Sequence, residues 1–225
     1  MTDWQDVLRK RETETHFVVE GRHGVERLLD SKFKTEKVLK IGTDISREEA
    51  SAFLGFHFHR SHLAIARKPA HDIELENFAP GNIVILPEIA DPGNLGTIIR
   101  NTAALGARGI LLGKGVSPFN AKAVRASAGA VFKIPIRRSP NFLDDLQSLR
   151  SSHTLVGTAL TSGAVPFQAL PDIEGPVGIL LGPEDFGIPP EMSHLCHHLT
   201  FLPMSHQMDS LNVAATSAIF LHAFQ

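Results

Sequence analysis

The chain has 225 residues, of which 43% are apolar and 20% charged, and its formal net charge is −2. These values are ordinary for a soluble globular protein of one large or two smaller domains, and the net charge gives no sign of nucleic-acid binding. The single cysteine, Cys196, excludes an intramolecular disulfide and indicates a reducing compartment. No run approaches the roughly 18 apolar residues of a membrane span, and the charged N-terminus does not resemble a signal peptide. We therefore expect a cytoplasmic protein with no membrane partner.

Positive charge is concentrated in the middle of the chain. Residues 81–150 hold nine lysines and arginines against four acidic residues, whereas residues 151–225 hold none against six. A basic patch of this kind could contact phosphates, although a solvated basic face explains the charge equally well.

Residues 17–67 have the pattern of a small α/β unit. Apolar spacing and capping signals, among them Ser46 with Glu49 three residues later, predict two helices and two strands in alternation. In chain order these are the helix 21–32, the strand 37–41, the helix 46–54 and the strand 63–66. The polar segment 68–81, with two prolines, has the composition of a linker.

From residue 82 onward, apolar strands alternate with helices. The predicted strands are 82–87, 109–112, 131–136, 154–159, 177–181 and 199–202. The predicted helices are 95–105, 121–128, 142–150, 189–195 and 210–224. Because each strand is apolar throughout, the pattern predicts an α/β fold with a parallel sheet and helices on both faces.

Several common site chemistries are not supported by the sequence. No G-x-G-x-x-G follows a strand, and Gly113–Gly115 fails the phosphate-loop spacing because Arg108 stands where the first glycine is needed. His194, Cys196, His197 and His198 fall within five residues, whereas a structural zinc site usually draws on a second, separated pair. We therefore expect no metal here. The better interpretation is that these histidines are exposed at the surface or form hydrogen bonds within the protein.

The segment 91–106 is the first of three that carry a more specific signal. Pro92–Gly93 predicts a turn, Asn94 is a good N-cap, and the helix that follows ends at Gly106. Arg100 lies near its middle among apolar residues, where an unpaired charge would be costly. The alternative is that the stem of Arg100 packs and its head reaches water.

The other two segments each follow a strand. In residues 178–191 a buried strand ends at Gly182, and the loop after it carries Glu184, Asp185 and Gly187, which is where ligands bind in open α/β sheets. In residues 202–224 Ser210 is a plausible cap for a helix of small and apolar residues. A plain β–α turn and a small-residue packing helix are the alternatives.

Taken in order, these segments resemble the three motifs of the SpoU (TrmH-like) branch of the SPOUT methyltransferases. The matching patterns are N-x-G-x-I-x-R with T-A-x-x-G, then L-G-x-E-x-x-G-I, then L-P-M-x₅-S-L-N-V. Residues 122–136 are also similar to the family, and residues 18–42 resemble the small RNA-binding domain that often precedes the catalytic one. The resemblance covers about 17–222.

The resemblance implies a catalytic domain with a C-terminal trefoil knot, S-adenosylmethionine as cofactor, and a homodimer with the site at the subunit interface. Gly182, Leu202 and Leu211 would contact the adenosine, with Pro203 and Met204 nearby. The implied organisation is an N-terminal extension 1–16, a small RNA-binding domain 17–70, a linker 71–80 and the methyltransferase domain 81–225.

The implied reaction is methyl transfer to a ribose 2′-hydroxyl of tRNA or rRNA without a metal. Arg100 would be the central catalytic residue, assisted by Asn94, Glu184, Ser210 and Asn212. Because an arginine stays charged in proteins, we expect Arg100 to hold a phosphate and stabilise the developing alkoxide rather than act as a general base. One alternative is a catalytically inactive RNA-binding protein on the same fold. Another is a nucleotide-dependent oxidoreductase, but the absence of a G-x-G-x-x-G motif after a strand argues against it.

Overall fold

The computed structural model describes residues 3–69, 74–78, 80–183, 187–205 and 210–225. Within these ranges the helices are Trp4–Lys10 (α1), Arg22–Leu29 (α2), Arg47–Leu54 (α3), Pro92–Ala104 (α4), Ala121–Ala126 (α5), Phe142–Leu149 (α6), Pro190–Ser193 (α7) and Val213–Ala223 (α8). The strands are His16–Glu20 (β1), Thr35–Lys40 (β2), His62–Arg67 (β3), Ile83–Ile89 (β4), Gly109–Gly115 (β5), Ile136–Arg138 (β6), Thr154–Thr158 (β7), Val165–Pro166 (β8), Val177–Leu181 (β9) and His198–Phe201 (β10).

The larger sheet has seven strands in the order β6-β5-β4-β9-β7-β10-β8, and its recorded pairings are parallel. Alternate residues of each central strand enter different cores. Val84 of β4 packs in the core that includes α4, α5 and α8, whereas its neighbour Ile85 packs in the core of α6. This explains why the strands are apolar throughout, and it confirms the predicted parallel sheet with helices on both faces.

The smaller sheet is antiparallel, in the order β1-β3-β2. One of its faces, represented by Val18 and Leu63, packs against α1 and α3. The other face belongs to the same core as α4 and α5, where the Phe17 ring lies 4.8 Å from that of Phe119. The two sheets therefore share one continuous apolar core.

Residues Leu75–Phe78 form a 3₁₀ turn within the polar segment that precedes β4. Phe78 is fully buried, and its ring would lie 2.6 Å from a Cβ placed on Gly109. Glycine at position 109 is therefore required for Phe78 to reach the sheet. Within the described ranges, no helix is both long and apolar enough to cross a bilayer.

The predicted strand 131–136 is wrong in its extent. Ala130–Phe132 is a 3₁₀ turn, and the strand begins only at Ile136. The Phe132 ring packs 5.4 Å from that of Phe33 instead of joining the sheet, and Pro135 has no N–H to donate to a ladder. Among the helices and strands, three were not predicted at all, namely the helix α1, the fully buried strand β1 and the two-residue strand β8.

Candidate active site

A cavity of about 400 Å³ lies at the carboxyl ends of β7, β9 and β10, beside the start of α8. Parallel strands end at a common edge, which is where open α/β sheets bind ligands. Its described lining is uncharged and consists of Thr158, Ala159, Leu160, Thr161, Leu181, Gly182, Pro183, Gly187, Ile188, Thr200, Phe201, Leu202, Met204, Ser210, Leu211, Val213, Thr216 and Phe220.

The residues predicted to contact a cofactor lie at this cavity. Gly182, Leu202, Met204 and Leu211 line it, and Pro203 stands between two lining residues of the same segment. Three groups of lining residues were not predicted from the sequence. These are Thr158–Thr161 after β7, Thr200–Phe201 at the end of β10, and Thr216 with Phe220 on α8. The first group could have been predicted from the sequence, because the predicted strand 154–159 is parallel to the strand that ends at Gly182 and therefore ends at the same edge of the sheet.

Gly182 brings the end of β9 into contact with the start of the segment that leads to α7. A Cβ at this position would lie 2.6 Å from the carbonyl carbon of Gly187 and 2.7 Å from the backbone nitrogen of Ile188. Real Cβ atoms do not approach backbone this closely. Glycine is therefore needed for the two backbone segments to form one wall of the cavity.

The N-terminus of α4 begins one turn earlier than the sequence predicts. Asp91, not Asn94, is the N-cap, and its Oδ1 accepts a hydrogen bond from the Asn94 backbone N–H at 2.8 Å. The reason is that Pro92 at the first helical position supplies the required φ, so the helix includes Asn94 in its first turn. A hydrogen bond from Lys122, at 2.9 Å, is the main cause that holds the pKa of Asp91 below its usual range.

The helix α8, in contrast, begins later than predicted, because Asn212 rather than Ser210 is its N-cap. Asn212 Oδ1 accepts from the Ala214 N–H at 2.9 Å, and Asn212 Nδ2 donates to Asn94 Oδ1 at 3.0 Å. One side chain thus caps α8 and joins it to the first turn of α4. Ser210 lies two residues earlier and lines the cavity.

Arg100 is not at the cavity of its own chain. Its side chain is exposed on α4, and among the described residues no hydrogen bond or ion pair reaches its guanidinium. The next residue, Asn101, faces α8 and donates to Ala214 O at 2.9 Å. Within a single chain, the structure therefore agrees with the alternative in which the head of Arg100 reaches water. The predicted catalytic residue Glu184 lies outside the described residues.

The cavity fits S-adenosylmethionine in size and chemistry. Its volume lies within the roughly 300–1,000 Å³ of small-molecule sites, and an apolar lining with hydroxyl and backbone polar groups suits an adenosine. Because the described lining carries no positive charge, nothing there repels a sulfonium cation.

The histidine and cysteine residues near β10 have structural roles. His197 Nδ1 accepts from the Leu155 N–H at 2.9 Å, and burial raises the pKa of the Cys196 thiol to about 11. In the part of the chain that the structure describes, no three His, Cys, Asp or Glu side chains are grouped as metal ligands.

Residues 81–222 match the family model described as the SpoU rRNA Methylase family. The chain belongs to this family. The match covers the whole seven-stranded sheet and all but the last residue of α8, including the cavity and the Asn94–Asn212 contact.

Similarity to individual SpoU proteins extends beyond the matched segment. The chain is 29% identical to the Bacillus subtilis 23S rRNA (guanosine(2553)-2′-O)-methyltransferase RlmP, over 98% of this chain and 93% of that protein. It is 28% identical to the Acinetobacter baylyi 23S rRNA (guanosine-2′-O-)-methyltransferase RlmB, over 79% and 75%. A Sinorhizobium meliloti rRNA methyltransferase solved with AdoMet bound superposes with a TM-score of 0.81, at 26% identity over 96% and 90%.

These findings confirm the predicted SpoU family, the predicted cofactor and, for the fold class, the parallel sheet covered by helices. They also confirm the predicted activity, S-adenosylmethionine-dependent methyl transfer to an RNA ribose 2′-hydroxyl. The alternative of a catalytically inactive RNA-binding protein receives no support.

Proposed function

We propose that this SpoU protein methylates a ribose 2′-hydroxyl of ribosomal RNA, and that it does so in the cytoplasm as a homodimer. The observation that carries the proposal is the similarity, over nearly the full length of both chains, to a protein named as a 23S rRNA 2′-O-methyltransferase. The second relative, RlmB, has the same class of substrate in its name. Ribosomal RNA is therefore preferred to tRNA as the acceptor.

The residues at the cavity divide between two tasks. Gly182, Leu202 and Leu211 hold the adenosine through backbone groups, with Pro203 and Met204 beside them. When bound, S-adenosylmethionine supplies an electrophilic methyl group on a sulfonium. Asn94, Ser210 and Asn212 lie where the chain must orient the ribose, and alignment of the two reactants is the main catalytic requirement of such a displacement. Glu184 belongs to this set by its position in the motif.

A homodimer is supported by the outer face of α8. Ile219 is 40% exposed, and Ala215, one turn earlier on the same helix, is also exposed. A helix that is apolar on all sides is usually buried on all sides. A second copy packed on this face would cover these residues, and the exposed Arg100 on the neighbouring α4 would lie at the new interface.

Arg100 of the partner subunit then has a role that Arg100 of the same chain does not. At a shared interface it can hold the phosphate beside the target ribose and stabilise the negative charge that develops on the 2′-oxygen. We assign it this electrostatic role because a permanently charged guanidinium is a poor proton acceptor.

The remaining features of the family are proposed together with the function. Asn212, at the start of α8, contacts Asn94 in the first turn after β4, and α8 packs in the same core as α4 and β9. This packing is compatible with a trefoil knot around the cofactor cavity. Residues 17–70 are proposed as an RNA-binding unit and residues 81–225 as the catalytic domain.

Methyl transfer from tritiated S-adenosylmethionine to purified 23S rRNA and to total tRNA tests the acceptor. We expect label in the rRNA, at a position resistant to alkaline cleavage because a methylated 2′-oxygen cannot attack the neighbouring phosphodiester. Label confined to tRNA, or to alkali-sensitive positions, would contradict the proposal.

Replacing Arg100 with Lys tests the role of its guanidinium. Lysine keeps the charge but loses the bidentate fork, so we expect kcat to fall on the order of a hundredfold. Arg150→Lys is the matched control, because Arg150 is exposed at the end of α6 on the opposite face of the sheet. Near-wild-type turnover by Arg100→Lys would show that the fork is not used.

A further inference from the structure

The segment 55–61, between α3 and β3, presents aromatic side chains to solvent in a fixed arrangement. Phe58 points inward and is 1% exposed, whereas Phe56, His57 and His59 are exposed. The Phe58 N–H donates to Ser51 Oγ at 3.0 Å, and Ser61 O accepts from the Ile41 N–H at 2.9 Å. The middle and the end of the segment are therefore held, and the exposed rings need little ordering on binding a ligand.

The exposed rings of this segment form two small aromatic surfaces. The His57 and His59 rings are stacked, with centroids 4.4 Å apart and an interplanar angle of 26°. The Phe56 ring is 41% exposed and lies 5.0 Å from the guanidinium carbon of Arg11. Flat, exposed rings next to arginines are the groups on which proteins stack unpaired bases.

Beside this segment, three arginines converge on one carboxylate. The side chain of Glu20 is only 2% exposed, and it pairs with Arg11, with Arg125 at 2.8 Å and with Arg60 at 3.9 Å. Three guanidinium groups around one carboxylate leave a surplus of two positive charges. Arg11 Nε is buried and has no hydrogen-bond partner among the described residues. The cluster is therefore only partly neutralised, which favours a polyanion at its surface.

The arginine cluster is connected to the active site by α5. Arg125 lies one helical turn after Lys122, and residues three apart on a helix are neighbours on its surface. Lys122 Nζ contacts Asp91, the N-cap of α4, whose carboxylate also holds the backbone of Asn94. Positive side chains thus run from the Asn94–Asn212 contact to the aromatic segment.

We propose that the segment 55–61 and the arginine cluster around Glu20 form one RNA-contact surface that binds unpaired nucleotides next to the methylation target. Arg60, Arg125 and Lys122 contact successive phosphates, and the rings of Phe56, His57 and His59 stack on splayed bases. A duplex would not use this surface fully, because its bases are already stacked. The inference rests on the proposed function, since it takes the ligand to be the RNA substrate.

A metal site at the histidine pair is the competing interpretation, and the structure disfavours it. Stacked rings present their faces to each other, whereas a metal is bound through the ring nitrogens. Among the described residues, no third His, Cys, Asp or Glu side chain completes a ligand set.

Binding to two fluorescein-labelled RNA probes tests the proposal. One probe is a hairpin with an eight-nucleotide unpaired purine loop, and the other is a blunt duplex of the same stem. We expect His57→Ala/His59→Ala to weaken hairpin binding on the order of tenfold and to leave duplex binding unchanged, because only unpaired bases can stack on the two rings. The control is His194→Ala, since His194 is exposed at the C-terminal end of α7, which packs on the opposite face of the larger sheet.

Arg60→Ala tests the phosphate contact separately. It should weaken binding of both probes and lower the slope of log K against log salt by about 0.7–0.9, the value for one lost phosphate contact. Arg150→Ala is the matched control. Arg60→Lys keeps the charge and should therefore retain the wild-type salt slope. This result would show that the weaker RNA binding of Arg60→Ala comes from the lost charge and not from unfolding.

The outcomes separate this surface from the proposed function. Wild-type hairpin binding in His57→Ala/His59→Ala overturns the stacking surface, and equal losses for hairpin and duplex reduce it to unspecific charge. Either result leaves the function intact if the wild type methylates rRNA. Loss of hairpin binding together with no methyl transfer to rRNA by the wild type supports the surface and overturns the function.

Discussion

Gly182 is the residue whose side chain, a single hydrogen, decides whether the cofactor cavity can form. The backbone of Gly187 and Ile188 passes within contact distance of the place where any larger side chain would begin. Both segments line the cavity. A methyl group here must displace backbone rather than a flexible side chain, so the wall of the site has to move.

Gly182→Ala is therefore expected to weaken S-adenosylmethionine binding at least about tenfold, as measured by calorimetry, since close-packed backbone tolerates added volume poorly. Gly163→Ala is the control, because a Cβ at Gly163 would meet no atom within 4 Å. Unchanged affinity in Gly182→Ala would mean that the loop shifts freely and does not shape the site.

His153 gives a pH-dependent contribution to stability. It is 4% exposed, and its Nε2 lies 3.1 Å from Gly81 O. Burial is the main cause that lowers the pKa of His153 from its ordinary value of about 6.5. The unfolded chain therefore binds the proton more tightly, and stability falls as pH drops below about 6.5 toward the lower folded pKa.

Replacing His153 with Gln removes this titration. Between pH 7.5 and pH 5.5 the wild type should lose more of its free energy of unfolding than His153→Gln does, measured by urea denaturation at each pH. Every other histidine is common to both proteins. Parallel pH profiles would therefore show that the pKa of His153 does not differ between the folded and unfolded chains.

The two helices that begin at the active-site edge are joined through their first turns. Asn212 caps α8 through Oδ1 and reaches Asn94 of α4 through Nδ2. The acceptor stabilises the helix, whereas the donor fixes the position of Asn94. The two functions can be separated by substitution because they use different atoms.

Asn212→Asp keeps the capping oxygen and loses the donor, whereas Asn212→Ala loses both. We expect Asn212→Ala to lower the free energy of unfolding by about 1 kcal/mol and Asn212→Asp to change it little. Methyl transfer should fall in both. If activity followed stability instead, with Asn212→Asp active, the contact with Asn94 would not matter to the reaction.

The N-caps of the helices show which helix starts can be predicted from the sequence and which cannot. The cap at Ser46 was predicted correctly, with its Glu49 partner, because both residues of the capping box stand in the sequence. At α4, Asp91 and Asn94 are both good caps by type. The choice of Asp91 follows from Pro92 and from the contact with Lys122, which lies 31 residues along the chain.

For the whole molecule, motif resemblance predicted only part of the lining of the cavity. Gly182, Leu202 and Leu211 could be named because each belongs to a motif with its own spacing. Leu160 and Thr161 also line the cavity but carry no motif, and only the order of the strands places them there. The position of Arg100 outside the cavity depends on the rotation of α4 about its own axis, which no single motif encodes.

The outer face of α8 provides the test of assembly. Ile219→Asp places a charge on the proposed interface and should shift sedimentation from dimer to monomer, with loss of methyl transfer. Leu143→Asp is the matched control, because Leu143 has the same 40% exposure on α6. A wild type that sediments as a monomer, or a fully active monomeric variant, would contradict the shared site.

The apolar core shared by the two sheets has a consequence for how the molecule unfolds. Phe17 and Phe33 of the N-terminal part pack on Phe119 and Phe132 of the catalytic part, with centroid distances of 4.8–6.2 Å. Neither part can lose its fold without exposing the other's aromatic surface to water. The two parts are therefore thermodynamically coupled, and heating should produce one cooperative transition rather than two separate ones.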